Sequence, residues 1–393
     1  MKAGWEVKTL GEVCRLLNGR AYKKPELLSH GKYPVLRVGN FFTNNNWYFS
    51  DLELPEDKYC DNGDLLYAWS ASFGPRVWEG GKVIYHYHIW KVEPKAQQID
   101  KRYLYYFFDW DKERIKNEQG AGTTMIHVSK TSMDARKIPL PPLEEQKRIV
   151  SILDEAFEGL DRARENAEAN LKSARELFDN QLENELSVLP KSSQCLLDEH
   201  VDLLSGFAFK SKAYSEEASD MRLMRGDNII PGKVRWEQAK YWPNSDIAEY
   251  ERYMLKADDL LIAMDRTWIK SGIKYAVLKS EDVPCLLVQR VARLRSKSTI
   301  SHAFLELLIS SQAFEQYVIR IQTGLGVPHI SSQQIKDFPA NVPSSQKQHE
   351  IAAKMQSFRT SSESLEADYR TKLQDISDLR QSLLQKAFAG ELT

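Results

Sequence analysis

The same ordered set of motifs occurs twice in this chain, and no other property of the sequence restricts its fold as much. Leu10-Gly-Glu-Val-Cys-Arg-Leu-Leu-Asn-Gly-Arg-Ala-Tyr-Lys23 aligns with Leu197-Asp-Glu-His-Val-Asp-Leu-Leu-Ser-Gly-Phe-Ala-Phe-Lys210. Leu36-Arg-Val-Gly-Asn40 then matches Met224-Arg-Gly-Asp-Asn228, and Asn62-Gly-Asp-Leu-Leu66 matches Ala257-Asp-Asp-Leu-Leu261. Gly122-Thr-Thr-Met-Ile-His-Val-Ser129 pairs with Gly324-Leu-Gly-Val-Pro-His-Ile-Ser331, and Gln146-Lys-Arg-Ile149 with Gln348-His-Glu-Ile351. The order is conserved throughout and the offset drifts slowly upward, so the two halves are copies of one plan.

Each copy ends in a long helical signal. After Pro139-Leu-Pro-Pro142 the stretch 143–189 contains no proline and a single glycine, Gly159. Ile149, Leu153, Ala156, Leu160, Ala163 and Ala167 recur in steps of three and four, the seam of a coiled coil. The stretch 343–393 repeats the design with Ile351, Met355, Phe358, Leu365, Ile376 and Leu383. A helix over 143–189 would be about 70 Å long at 1.5 Å per residue. One narrow stripe cannot bury itself, whereas two stripes in one chain can bury each other. The expected fold is therefore α+β. Two duplicated mixed α/β domains, residues 1–142 and 190–342, would be separated by an antiparallel pair of long coiled-coil helices, 143–189 and 343–393. Within each domain the apolar runs Asp64–Trp69 and Asp259–Met264 read as buried strands, and Lys82–Val92 and Leu286–Leu294 as further strands. Amphipathic helices are expected over Lys101–Lys116 and Ser301–Ile321.

Charge is unevenly placed. Residues 143–189 hold 6 Lys and Arg against 12 Asp and Glu, whereas residues 1–142 hold 21 against 17. The domains permit a nucleic-acid partner, and the acidic helix suits a protein partner. No apolar run reaches the roughly 18 residues of a membrane span, and the opening MKAGWEVKTLGEV lacks the apolar core of a signal peptide. Four scattered cysteines without a C-x-x-C spacing argue for buried thiols in a reducing cytoplasm.

Catalytic constellations are scarce. The phosphate-cradling patterns G-x-x-x-x-G-K-[ST] and G-x-G-x-x-G are missing, as is a G-x-S-x-G elbow. The adenine-methyltransferase motif is absent too, because the one Pro-Pro pair is followed by Leu143. His86 and His88 could share one face of a strand as metal ligands or phosphate donors, although surface or satisfied core is the commoner fate of such a pair. Asp64, Glu93 and Lys95 only faintly suggest a nuclease site, and the second copy has no equivalent.

What remains is a set of polar, basic and aromatic loop residues at matching places in both copies. The first copy offers Arg20, Lys23, Lys24, Arg37 and Asn40, then Trp69, Ser70, Ser72 and Arg76, then Thr123, His127, Ser129 and Lys130. The second offers Lys210, Lys212, Arg225 and Asn228, then Arg266, Trp268, Lys270 and Lys274, then His329, Ser331 and Ser332. Arg and Asn read base edges, while Lys, Ser and Thr hold phosphates. The skeleton is kept between copies while the loop residues differ, as suits two domains reading two sequences.

With these residues in place the chain resembles the specificity subunit of Type I restriction–modification systems. The carriers are Leu10-Gly-Glu-Val, Asn18-Gly19, Leu36-Arg-Val-Gly-Asn40, Gly63-Asp-Leu-Leu66 and above all Ile138-Pro-Leu-Pro-Pro-Leu-Glu-Glu-Gln-Lys-Arg-Ile-Val150. The second copy departs from the last pattern, since Phe338-Pro-Ala-Asn-Val-Pro343 lacks Pro-Pro-Leu. The resemblance implies a non-catalytic, cytoplasmic subunit with two target recognition domains on double-stranded DNA, each reading half of a bipartite target. The helices would set the spacing and dock two methyltransferase subunits, with restriction and translocase subunits completing the enzyme. S-adenosylmethionine, ATP and Mg would belong to those partners, with no cofactor or metal on this chain. A stand-alone nuclease or methyltransferase with a degenerate site, and a passive coiled-coil scaffold, are the competing readings.

Overall fold

Three sheets recur in both copies of the repeat with the same strand order, and the second copy adds two short ribbons, Ile229–Ile230 with Lys233–Val234 and Trp268–Ile269 with Gly272–Ile273. The structure, a computed structural model, describes residues 2, 4–42, 45–70, 73–95, 97–118, 127–190, 194–324 and 326–393. It divides into two compact units: Met1–Glu168 with Thr371–Thr393, and Ala169–Arg370.

In the first unit, strands Cys14–Asn18, Ile89–Pro94, Leu65–Ala68 and Gly74–Val77 form an antiparallel sheet in that order. A second sheet runs Tyr48–Ser50, Tyr33–Leu36, Val83–Tyr85, Tyr59–Cys60, with its central pair parallel. Glu6–Thr9 pairs with Lys137–Leu140 and closes the domain's two ends together. The second unit reproduces each sheet. Its four-stranded sheets are Val201–Ser205, Val291–Ser296, Leu260–Ala263, Tyr275–Val277 and Lys240–Trp242, Met221–Met224, Cys285–Leu287, Met254–Leu255, and Gln194–Leu196 pairs with Pro339–Asn341.

The strand expected over Lys82–Val92 is two strands in different sheets, broken by a turn at His86–His88. The run Leu286–Leu294 divides in the same way at Val288–Arg290. Neither turn carries glycine or proline, so the apolar pattern alone gives no sign of it. The helix expected over Ser301–Ile321 is also two, His302–Ser310 and Gln312–Ile321. Ser311 makes the break: its backbone is extended, and its hydroxyl accepts from Phe314 N–H as the N-cap of the second piece. The first unit has one uninterrupted helix here, Lys101–Glu118.

The long helices run Leu143–Ser187 and Ser345–Ala389. In the first unit Ile149, Leu153 and Phe157 join Leu384, Ala387 and Phe388 in one core with Leu65, Tyr67, Tyr103 and Phe107 of the domain. Glu145 meets Thr393 and Asp161 meets Arg380, so these helix segments are antiparallel. In the second unit Leu182, Ile351 and Met355 share a core with Leu260, Phe304 and Phe314. Arg175 with Glu366 and Glu185 with Lys354 give the same antiparallel sense. Burying an Ile or Leu side chain stabilises by roughly 1.5–3 kcal/mol, so the first turns of each helix hold firmly to the domain before them.

The seam read from the sequence needs adjusting in both helices. Ala167 is buried, while Ala156, Leu160, Ala163, Phe358, Ile376 and Leu383 are half-buried. Leu365 is 38% exposed and lies outside the seam. Ser362 takes the buried position, its hydroxyl donating to the Ala174 carbonyl. A serine satisfied by helix backbone can occupy a seam that a hydrophobicity pattern assigns to leucine.

Candidate nucleic-acid interface

The candidate loop residues gather where one chain segment passes from sheet to sheet. In the first unit the turn His86–His88 is held on both sides: His86 N–H donates to Leu36 O, Tyr87 N–H to Arg20 O, and Trp69 N–H to His88 O. In the second, Val288 N–H donates to Met224 O, Gln289 N–H to Phe207 O, and Met264 N–H to Arg290 O. Val128 N–H bonds Trp69 O, and Ile330 N–H bonds Met264 O in the matching place. Backbone hydrogen bonds therefore gather four loops onto one face of each unit, without regard to side chains. Glycine makes the approach possible. A Cβ on Gly19 would stand 2.4 Å from the Tyr85 carbonyl oxygen, and one on Gly206 would stand 2.2 Å from that of Val288.

On this framework the first unit carries an aromatic and imidazole cluster. Trp69 stacks on Trp90 and meets His88 edge-on, with ring centroids 5.8 and 4.9 Å away, and His127 lies 6.1 Å away. The Trp69 indole N–H donates to Tyr87 O at 2.8 Å. Burial, then the neighbouring His88 and Arg37, push the pKa of His86 down to about 4. Burial and His127 lower that of His88. Burial thus disfavours the imidazolium form of both rings. His86 and His88 sit on the turn rather than on one strand face, and among the described residues no three His, Cys, Asp or Glu side chains gather as metal ligands.

The candidate residues divide by what their side chains already do. Lys23, Lys24, Lys210, Lys212, Arg266 and Lys270 are exposed, and Arg37 lies over the Tyr48 ring at 5.1 Å. Arg20 is held by Glu26 at 2.8 Å, and Arg225 by Asp227 at 3.0 Å. Trp268 donates its indole N–H to Glu315, Arg76 donates to Phe41 O, and Asn40 donates its amide to Asn46 O. His329 lies against Val327 O, and Ser332 is half-buried in the first turn of helix Ser332–Lys336. Ser72 and Thr123 lie outside the described residues.

Several side chains serve the framework instead. Asn228 is 2% exposed, accepting from Arg225 N–H and donating to Arg235 O, so its amide closes its own loop. Ser70 and Lys274 are buried, and burial lowers the lysine's pKa. Ser129 and Ser331 are helix N-caps, accepting from Ser132 and Gln334 N–H at 3.1 Å. Lys130 is paired with Asp134 at 2.9 Å. The faint nuclease set is dispersed: Lys95 donates to Gly11 O, Glu93 faces Arg15, and Asp64 pairs with Lys91.

Residue-level reasoning on the loops missed Gln146 and Gln348. Each is fully buried at the start of its long helix. Gln146 accepts from Asp100 N–H at 2.8 Å and donates to Gln98 O and Pro141 O. Gln348 accepts from Ser301 N–H at 2.7 Å and donates to Thr299 O and Pro343 O. One amide thus ties the helix start to the domain, identically in both copies. The matching Gln-x-x-Ile spacing was the available signal.

The duplicated frame matches the family model described as "Type I restriction modification DNA specificity domain", over residues 2–171 and 227–374. The chain belongs to this specificity-domain family. Among curated relatives, the specificity subunit of the Type I restriction enzyme MjaVIII of Methanocaldococcus jannaschii is 29% identical over 371 residues, covering 90% of this chain and 85% of the relative. The EcoBI specificity subunit of Escherichia coli is 22% identical, covering 99% and 86%. The specificity-domain fold is shared with a chain from a structure describing complex assembly and conformational transition of the type I R-M system, at TM-score 0.77 and 17% identity, covering 100% of this chain and 99% of that one. The HsdS subunit of Thermoanaerobacter tengcongensis gives a TM-score of 0.55 at 17% identity, covering 100% and 98%.

Proposed function

We infer that the chain is the DNA sequence-specificity subunit of a Type I restriction–modification enzyme, contributing recognition rather than chemistry. The observation that carries this is the pair of loop faces on one backbone frame, where the framework bonds match and the side chains do not. Residues 1–142 and 190–342 are the two target recognition domains, each reading one half of a bipartite duplex target. Helices 143–189 and 343–393 set the gap and dock two methyltransferase subunits, which bring S-adenosylmethionine. Restriction and translocase subunits with ATP and Mg complete the enzyme in the cytoplasm. Exposed lysines in both domains supply the phosphate contacts, and protein-directed docking suits the acidic first helix, which DNA would repel.

The test is a domain exchange in the methyltransferase complex. Replacing residues 1–142 by another recognition domain changes one half of the N6-methyladenine motif mapped by sequencing and leaves the other half and the gap intact. A motif altered in both halves, or the absence of any bipartite motif for the native complex, would refute the modular reading.

A further inference from the structure

The face of the second unit holds a pocket of about 600 Å³, lined by Phe209, Lys210, Lys212, Tyr214 and Gln289. Gln289 was not among the residues the sequence singled out. It sits in the crossover turn, exposed, with its backbone N–H fixed to Phe207 O at 2.7 Å. Its side-chain amide makes no hydrogen bond to any described residue, in contrast to the amides of Asn228, Gln146 and Gln348. A primary amide offers a donor and an acceptor side by side, the pair that matches N6 and N7 of adenine in the major groove. Lysines on the same pocket wall are placed for the flanking phosphates. Phe207, 36% exposed, adds an apolar surface braced by Phe209, Tyr250 and Tyr253 at ring distances of 5.0–5.4 Å.

The same turn position in the first unit is Tyr87, also exposed. Its ring is packed among Trp69, His86 and His88 at 6.0, 4.5 and 3.9 Å. One backbone position, fixed by the same three hydrogen bonds, thus presents an amide in one copy and a phenol in the other.

We propose that the middle residue of the crossover turn is a base-reading position, where Gln289 reads an adenine in the second half-site and Tyr87 occupies the reading position for the first. This rests on the chain being a DNA reader. The experiment selects targets from randomised duplex DNA with the full chain in its methyltransferase complex, comparing native protein, Gln289→Ala, Gln289→Arg and Lys210→Ala. The native complex returns a bipartite motif with an adenine that Gln289→Ala makes degenerate, losing roughly ten- to hundredfold discrimination at that base pair alone. Gln289→Arg moves the preference there towards guanine. Lys210→Ala weakens all sequences alike and lowers the salt slope by about one. A motif unchanged by both Gln289 substitutions, or changed in the half read by residues 1–142, overturns the proposal. If Gln289→Ala loses all binding, Gln289→Arg decides: a shifted base sustains the proposal, and an unshifted one ends it. A native complex that selects no motif would refute the DNA-reading function itself.

Discussion

Gln146 and Gln348 make the same three hydrogen bonds, whereas Trp69 and Met264 share a backbone position and almost nothing else. The first pair bonds to backbone groups, which every module of this fold presents. The second pair lies where backbone bonds already fix the loop, so its side chains can differ, and each packs in its own way: Trp69 stacks on Trp90, while Met264 is buried in the core of its unit. The two units together teach where the fold keeps its constraints: in glycine approaches, buried amides and N-caps, with the loop tips left free to diverge.

If that division is right, equivalent framework residues should respond alike. The largest effect is expected at the crossing point. Gly19→Ala and Gly206→Ala each force a Cβ against a carbonyl, which should cost about 3 kcal/mol. Denaturant unfolding of the full chain should show two similar losses, and a loss in one copy only would break the equivalence. Next come Gln146→Ala and Gln348→Ala, which strand a backbone N–H and two carbonyls at the helix start. Each should destabilise by roughly 1–3 kcal/mol, with early amide exchange near Asp100 and Ser301 respectively. Wild-type protection at both sites would mean that the amide is dispensable.

The smallest effect should appear in one copy only. A histidine with a depressed pKa stabilises the fold above its unfolded pKa, near 6.5, and that contribution is lost as pH falls through its folded value. For His86 the window runs down to about 4. The first unit should therefore lose stability on acidification more steeply than His86→Asn does, while the second unit, with Val288 at this position, contributes no such term. Identical pH profiles for the native protein and His86→Asn would count against the burial argument.

The duplicated α+β plan was legible in the sequence because its markers are local: Gly19 and Gly206, the acidic turn before Leu65 and Leu260, and the long proline-free stretches. The crossovers were not legible, since Lys82–Val92 reads as one alternating strand and the turn at His86–His88 is imposed by bonds to Leu36, Arg20 and Trp69, distant in sequence. The break at Ser311 and the buried Ser362 were hidden for a related reason, because a serine's role depends on which backbone group lies within reach. Among the loop residues, type and position suggested a reading face. Composition could not separate Asn228, spent on its own loop, from Gln289, whose amide is open.

The wiring of Gln146 has a consequence for how such genes can be reassembled. All three of its partners are main-chain atoms, so this part of the joint is blind to the module's side chains, whereas the packing of Ile149, Leu153 and Phe157 against Tyr103 and Phe107 and the ion pair of Asp154 with Arg102 are not. A stretch of gene ending before this codon can be replaced by a divergent homologue without a compensating change in the helix, provided the new module places its backbone in the same way and keeps an apolar face for Ile149, Leu153 and Phe157. Genetic exchange at the helix start would then alter specificity in a single event, and Gln348 leaves the second half of the chain open to the same traffic.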